Sequence, residues 1–70
     1  MEQPIKISLK AARVNAGYTQ LDVAQKLKVS NKTVMKWETG EAEPSFATLQ
    51  VLSNIYHLPM DCIILPIKST

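Results

Sequence analysis

Apolar residues recur along this chain in short blocks at helical spacing, each block bounded by a residue that starts or stops a helix. Leu9, Ala12 and Ala16 fall at i, i+3 and i+7 behind Ser8, a ready N-cap, and Gly17 ends the block. Thr19 opens the second block, with Val23, Ala24 and Leu27 as its apolar stripe. The Thr19 hydroxyl and the Asp22 carboxylate three residues on predict a capping box, with Asp in place of the usual Glu, at the start of a helix over about residues 20–27. Lys28-Val29 make a short connection, and Ser30 caps a third helix over about residues 31–39. Gly40 suits the left-handed position after it, and Glu41-Ala42-Glu43-Pro44 form a loop. Ser45 caps a fourth helix in which Phe46, Leu49, Leu52 and Tyr56 repeat, and His57-Leu58-Pro59 breaks it. A fifth short helix, about Met60 to Ile64, opens behind the proline.

Two helices separated by only Lys28 to Ser30 cannot fold back as an antiparallel hairpin easily, so they cross steeply, as in a helix-turn-helix. Ile5-Lys6-Ile7 alternates like a strand and Leu65-Pro66-Ile67-Lys68-Ser69-Thr70 reads as extended, but neither end has a partner strand that the sequence identifies. The organisation expected is an N-terminal extended arm over residues 1–8, one all-α domain of five helices over residues 9–65, and a C-terminal tail over residues 66–70.

Composition narrows what such a domain does. Seventy residues, 46% of them apolar, build one core, and a chain this short is too small for a pocket that holds a catalytic constellation and its substrate. No nucleophile–base pair, metal-ligand cluster or phosphate loop stands out, so neither an enzyme nor a cofactor or metal is expected. The single cysteine, Cys62, cannot close an internal disulfide and points to a reducing compartment. No apolar run reaches the roughly 18 residues of a membrane span, and Met1-Glu2-Gln3-Pro4 lacks the basic start of a signal peptide, which predicts a soluble cytoplasmic protein with no membrane partner. The net charge of +2 is unevenly placed. Residues 1–40 carry seven cations (Lys6, Lys10, Arg13, Lys26, Lys28, Lys32, Lys36) against three anions (Glu2, Asp22, Glu38). Residues 41–70 carry Lys68 against Glu41, Glu43 and Asp61. A basic half can face a polyanion while the whole stays nearly neutral, although an ordinary solvated charge mixture has the same composition.

The third helix sharpens this. At about 100° per residue, Asn31, Met35, Thr39, Lys32 and Lys36 share one face spanning about 140°, while Val34 and Trp37 lie on the other. The apolar pair suits a core, and for Trp37 that placement is favoured over stacking on a base. The opposite face suits a major groove: Asn pairs with the adenine N6/N7 edge, Lys donates to guanine or phosphate, and Met35 packs on a thymine methyl. A solvated face of ordinary surface lysines has the same periodicity.

The run Thr19-Gln20-Leu21-Asp22-Val23-Ala24-Gln25-Lys26-Leu27, followed by Val29-Ser30, Val34, Trp37-Glu38-Thr39-Gly40 and Glu43-Pro44-Ser45, resembles the Cro/phage-repressor helix-turn-helix family, often called XRE-like. The resemblance covers roughly Leu9 to Leu65. It implies a compact five-helix lambda-repressor-like DNA-binding domain that binds operator DNA, usually as a homodimer, with the third helix in the major groove. Carried onto this sequence, it places Asn31, Lys32, Met35 and Lys36 at base edges. Gln20, Arg13, Thr19, Ser30 and Ser45 fall at phosphates, Gln20 beside the N–H groups that open the second helix. It also implies that Arg13 and Glu38 form a structural ion pair between the first and third helices.

Lys28 stands where the family usually has glycine, and His57 where relatives commonly have glycine after the fourth helix. Histidine tolerates the left-handed conformation expected there better than most residues. Glu41 and Glu43 occupy a loop that in relatives often carries basic phosphate contacts. Leu21 and Val51 are apolar where the family is more often polar, and are either harmlessly exposed or part of a partner surface. Cys62 reads as a packed or tolerated thiol. The apolar end Ile63-Ile64-Leu65-Pro66-Ile67 packs on its own chain or forms a two-fold contact. The function expected is a sequence-specific DNA-binding transcriptional regulator of phage or prophage type, acting by operator occupancy and nucleoid-associated when bound. The alternative is an antitoxin-like or adaptor protein that docks a protein partner on Leu21, Val51 or the C-terminal apolar segment. With nearly the whole chain inside the resemblance, no separate effector-sensing domain is expected.

Overall fold

A computed structural model describes residues 6–66. Its elements in order are β1 (Ile7–Ser8), α1 (Leu9–Asn15), α2 (Gln20–Leu27), α3 (Asn31–Thr39), α4 (Phe46–Ile55), a single 3-10 turn (Met60–Cys62) and β2 (Ile63–Ile64). Each α-helix opens on a hydroxyl that accepts a backbone N–H three residues on: Ser8 from Ala11, Thr19 from Asp22, Ser30 from Thr33, and Ser45 from Thr48. At Thr19 the box is complete, because the Asp22 carboxylate accepts the Thr19 N–H at 2.8 Å in return.

All four helix ends use a left-handed residue, Gly17 at φ 86 after α1 being the first. Lys28 closes α2 at φ 60, ψ 44, and His57 follows α4 at φ 58. Gly40 closes α3 at φ 89, and here space matters as well as conformation: a Cβ on Gly40 would lie 3.3 Å from the Pro66 Cβ, so the outgoing chain lies directly against the end of α3.

Leu9, Ala12, Val23, Ala24, Val34, Trp37, Leu52 and Tyr56 form the buried core. Ala24, at 2% exposure, is small enough to let α2 and α3 approach closely where they cross. Filling the centre with side chains such as Leu52 and Val34 contributes about 1.5–3 kcal/mol each.

The structure departs from the sequence expectation in three places. The fifth helix is only the 3-10 turn, closed by the Cys62 N–H donating to the Pro59 carbonyl at 2.9 Å, so the domain has four α-helices. The β-branched pair Ile63-Ile64 leaves that turn and extends instead. There it finds the partner strand that could not be read from the sequence: β2 pairs in parallel with β1, Ile7 with Ile63 and Ser8 with Ile64. The end of the expected arm is thereby built into the fold, while residues 1–5 of the arm and 67–70 of the tail lie outside the described residues. Finally, Phe46 does not join Leu49, Leu52 and Tyr56 on the inner stripe. At the first position of α4 it is 69% exposed.

Candidate nucleic-acid interface

The orientation of α3 is held by one buried polar cluster. Arg13 on α1 donates through Nε to Glu38 Oε2 at 2.7 Å and through Nη2 to Glu38 Oε1 at 3.3 Å, a bidentate pair between α1 and α3. Its Nη1 donates to the Tyr18 carbonyl at 2.9 Å. From α2, Gln20 Nε2 donates to Glu38 Oε1 at 3.0 Å. One carboxylate therefore ties three helices together in a site where Arg13 is only 8% exposed. Tyr56, 5% exposed, feels the same cluster. Burial is the main cause that pushes its hydroxyl up to about 12; Glu38 adds to the rise and Arg13 opposes it.

Held in this way, α3 turns Val34 (1% exposed) and Trp37 (8%) into the core. Asn31, Lys32 and Thr39 are exposed on its outer face with Met35 at 38% exposure, and Lys36 is half-buried. The four residues expected at base edges thus lie together on one solvent-facing side of one rigid helix, offering an amide, two ammonium groups and a thioether.

The residues expected at phosphates are not equally available. All three guanidinium nitrogens of Arg13 are committed inside the fold. The hydroxyls of Thr19, Ser30 and Ser45 accept at their helix starts, and Ser45 also donates to Thr48 Oγ1 at 3.0 Å. What remains for an anion at these helix starts is the pair of first-turn N–H groups, Gln20 and Leu21 on α2, Asn31 and Lys32 on α3, Phe46 and Ala47 on α4. Gln20 is half-buried and uses one amide hydrogen on Glu38, which leaves its second for another acceptor. Beside it the Asp22 carboxylate is held below its ordinary pKa, first by the Thr19 N–H and then by the Thr19 hydroxyl, and so stays charged at the start of α2. Glu41 and Glu43 are exposed on the loop after α3.

The bond from Gln20 to Glu38 has no signature in the sequence, because only the crossing of α2 on α3 brings positions 20 and 38 together. Among the described residues no group of acidic, histidine or cysteine side chains could hold a metal ion. Nor is any described helix long and apolar enough to cross a membrane.

The helix-turn-helix family model matches residues 9–61. Two relatives from Bacillus subtilis (strain 168) align over 56 residues, 80% of this chain: the HTH-type transcriptional regulator ImmR at 39% identity, and the SPbeta prophage-derived uncharacterized HTH-type transcriptional regulator YonR at 38%. The aligned stretch is 44% of the first and 52% of the second, so the chain spans about half the length of these relatives. The matched residues contain α1 to α4, the Arg13–Glu38–Gln20 cluster and the outer face of α3. On these grounds the chain belongs to the Cro/phage-repressor-type, XRE-like helix-turn-helix family.

Proposed function

We propose that this chain is a sequence-specific DNA-binding transcriptional regulator of phage or prophage type, which acts by occupying operator DNA with α3 in the major groove. The observation that carries the reading is the outer face of α3: Asn31, Lys32, Met35 and Lys36 side by side, on a helix whose angle the Glu38 cluster fixes. The names of the aligned relatives, both transcriptional regulators and one prophage-derived, support it.

In this reading Asn31, Lys32, Met35 and Lys36 read bases. Gln20, through its second amide hydrogen, and the first-turn N–H groups beside Thr19, Ser30 and Ser45 set register on the phosphates. Arg13 serves mainly by holding Glu38. One unit makes few contacts, so a homodimer on half-sites about 34 Å apart supplies useful affinity and specificity. Occupancy needs no catalysis, and the site of action is the cytoplasm, on the nucleoid.

Selection of bound sequences from a random DNA pool tests this directly, with a palindromic consensus as the expected result. On that consensus, Lys32→Ala costs ~1–3 kcal/mol and relaxes preference at one position, and affinity falls steeply with salt. A pool that yields no consensus, with binding indifferent to salt, refutes the reading and leaves a protein-interaction module in its place.

A further inference from the structure

Tyr56 carries a hydroxyl that the fold does not use. Its ring belongs to the core: the residue is 5% exposed, follows the last turn of α4 and packs at a tilt on Tyr18, with 6.4 Å between ring centroids. A phenylalanine ring would fill that place equally well, and a buried tyrosine ordinarily gives its hydroxyl a hydrogen-bond partner. Among the described residues this one has none. Glu38 already accepts from Arg13 Nε, Arg13 Nη2 and Gln20 Nε2, and the Tyr18 carbonyl accepts from Arg13 Nη1. No fully buried side-chain nitrogen or oxygen among the described residues lacks a partner, so the unpartnered Tyr56 oxygen must reach solvent at the rim of the core. Its neighbours say where. Tyr18 immediately precedes Thr19, the cap of α2, and the charges of Glu38 and Arg13 both act on the hydroxyl. Gln20, the first residue of α2, is bonded to that same Glu38.

Donors without acceptors therefore collect where α2 begins: the N–H groups of Gln20 and Leu21, the second amide hydrogen of Gln20 and the hydroxyl of Tyr56. We propose that Tyr56 is a DNA-binding residue, whose hydroxyl donates to the backbone phosphate that Gln20 and the start of α2 receive. The inference rests on the DNA reading above and adds to it a donor from the end of α4. Burial pushes the pKa of this hydroxyl up to about 12, so at neutral pH it stays protonated and meets an anion as an uncharged donor. Its ring is already fixed in the core, so contact costs little further side-chain freedom. A contact of this kind sets register and carries no sequence information.

The test is Tyr56→Phe in the full chain, which keeps the ring, with circular dichroism as the check on folding. On the consensus selected from the random pool, the variant binds about three- to tenfold more weakly than the parent. The loss is the same on every single-base variant of that consensus. The slope of affinity against salt is unchanged, because an uncharged donor neutralises no phosphate, whereas losing a lysine that contacts phosphate flattens the slope by about one. A scan then places one uncharged methylphosphonate at a time along the half-site. At one position the difference between parent and Tyr56→Phe shrinks to less than about twofold, since the two changes remove the same contact, and at every other position it persists. Folded Tyr56→Phe that binds like the parent overturns the proposal and leaves the hydroxyl to water. A deficit that is equal on every methylphosphonate duplex overturns it too, and assigns Tyr56 to shaping the core. Failure here is separable from failure of the DNA reading: a parent chain that binds no DNA ends both, while a parent that selects a consensus and is matched by Tyr56→Phe ends this inference alone.

Discussion

Glu38 accepts hydrogen bonds from two other helices through a single carboxylate, which makes it the residue whose loss the domain tolerates least. Glu38→Ala strands a buried guanidinium and releases Gln20, and breaking such a pair costs about 3–5 kcal/mol. Stability scales at about 0.05–0.15 kcal/mol per residue, so a domain this small loses most of what it has. Urea denaturation measures the loss, and a midpoint within error of the parent's would show that the cluster is ornamental. Tyr56 adds a dependence on pH. Its folded-state pKa of about 12 lies above its ordinary 10.0, so its contribution is complete below pH 10 and lost as pH rises from there through 12. The parent chain should therefore destabilise more steeply between pH 10 and 12 than Tyr56→Phe, and equal slopes in parallel melts would remove Tyr56 as the cause. At this scale the sequence is informative where chemistry is local. The partners Arg13 and Glu38 follow from the family resemblance, whereas the bond from Gln20 depends on how closely Ala24 lets two helices cross, a distance that no local pattern encodes.

Among the elements, the turn between α2 and α3 carries a visible cost. Lys28 sits in the left-handed region at φ 60, which is unfavourable by about 1 kcal/mol for a residue with a Cβ. Lys28→Gly removes that strain while adding some freedom to the unfolded chain, for a net gain of about 0.5–1 kcal/mol, or a rise of about 2–8 °C in Tm. A thermal melt with Tm unchanged or lowered would mean the turn is not strained. The four capped helix starts were legible because a hydroxyl and the N–H three residues later are neighbours in any helix. The end of the domain was not. Whether Ile63-Ile64 continues a helix or extends is decided by Ile7 and Ser8, and so by a partner at the other end of the chain. Phe46 shows a related limit: its spacing puts it on the inner stripe, but at the first position of α4 it stays 69% exposed, outside the packing that Leu49, Leu52 and Tyr56 enter.

At the scale of the molecule, the division of charge in the sequence corresponds to a division of surfaces. The outer face of α3 lies in the basic part, and α4 with the 3-10 turn lies in the acidic, apolar part. The join between them is the two-residue parallel pairing of β1 with β2. Contacts between α2 and α3 are close in sequence and can form early in folding, while β1 and β2 must close a loop that encloses every helix, which makes their pairing a late step. Being short, with Ile64 48% exposed, the pair is also poorly defended against local opening. Pro66, which follows it, lies against Gly40 at the end of α3. The part of the fold that closes last and opens first thus lies against the end of α3, and because Ile7, Ile63 and Leu65 also pack on the core, fraying of the joined ends is felt at that helix and at the core together.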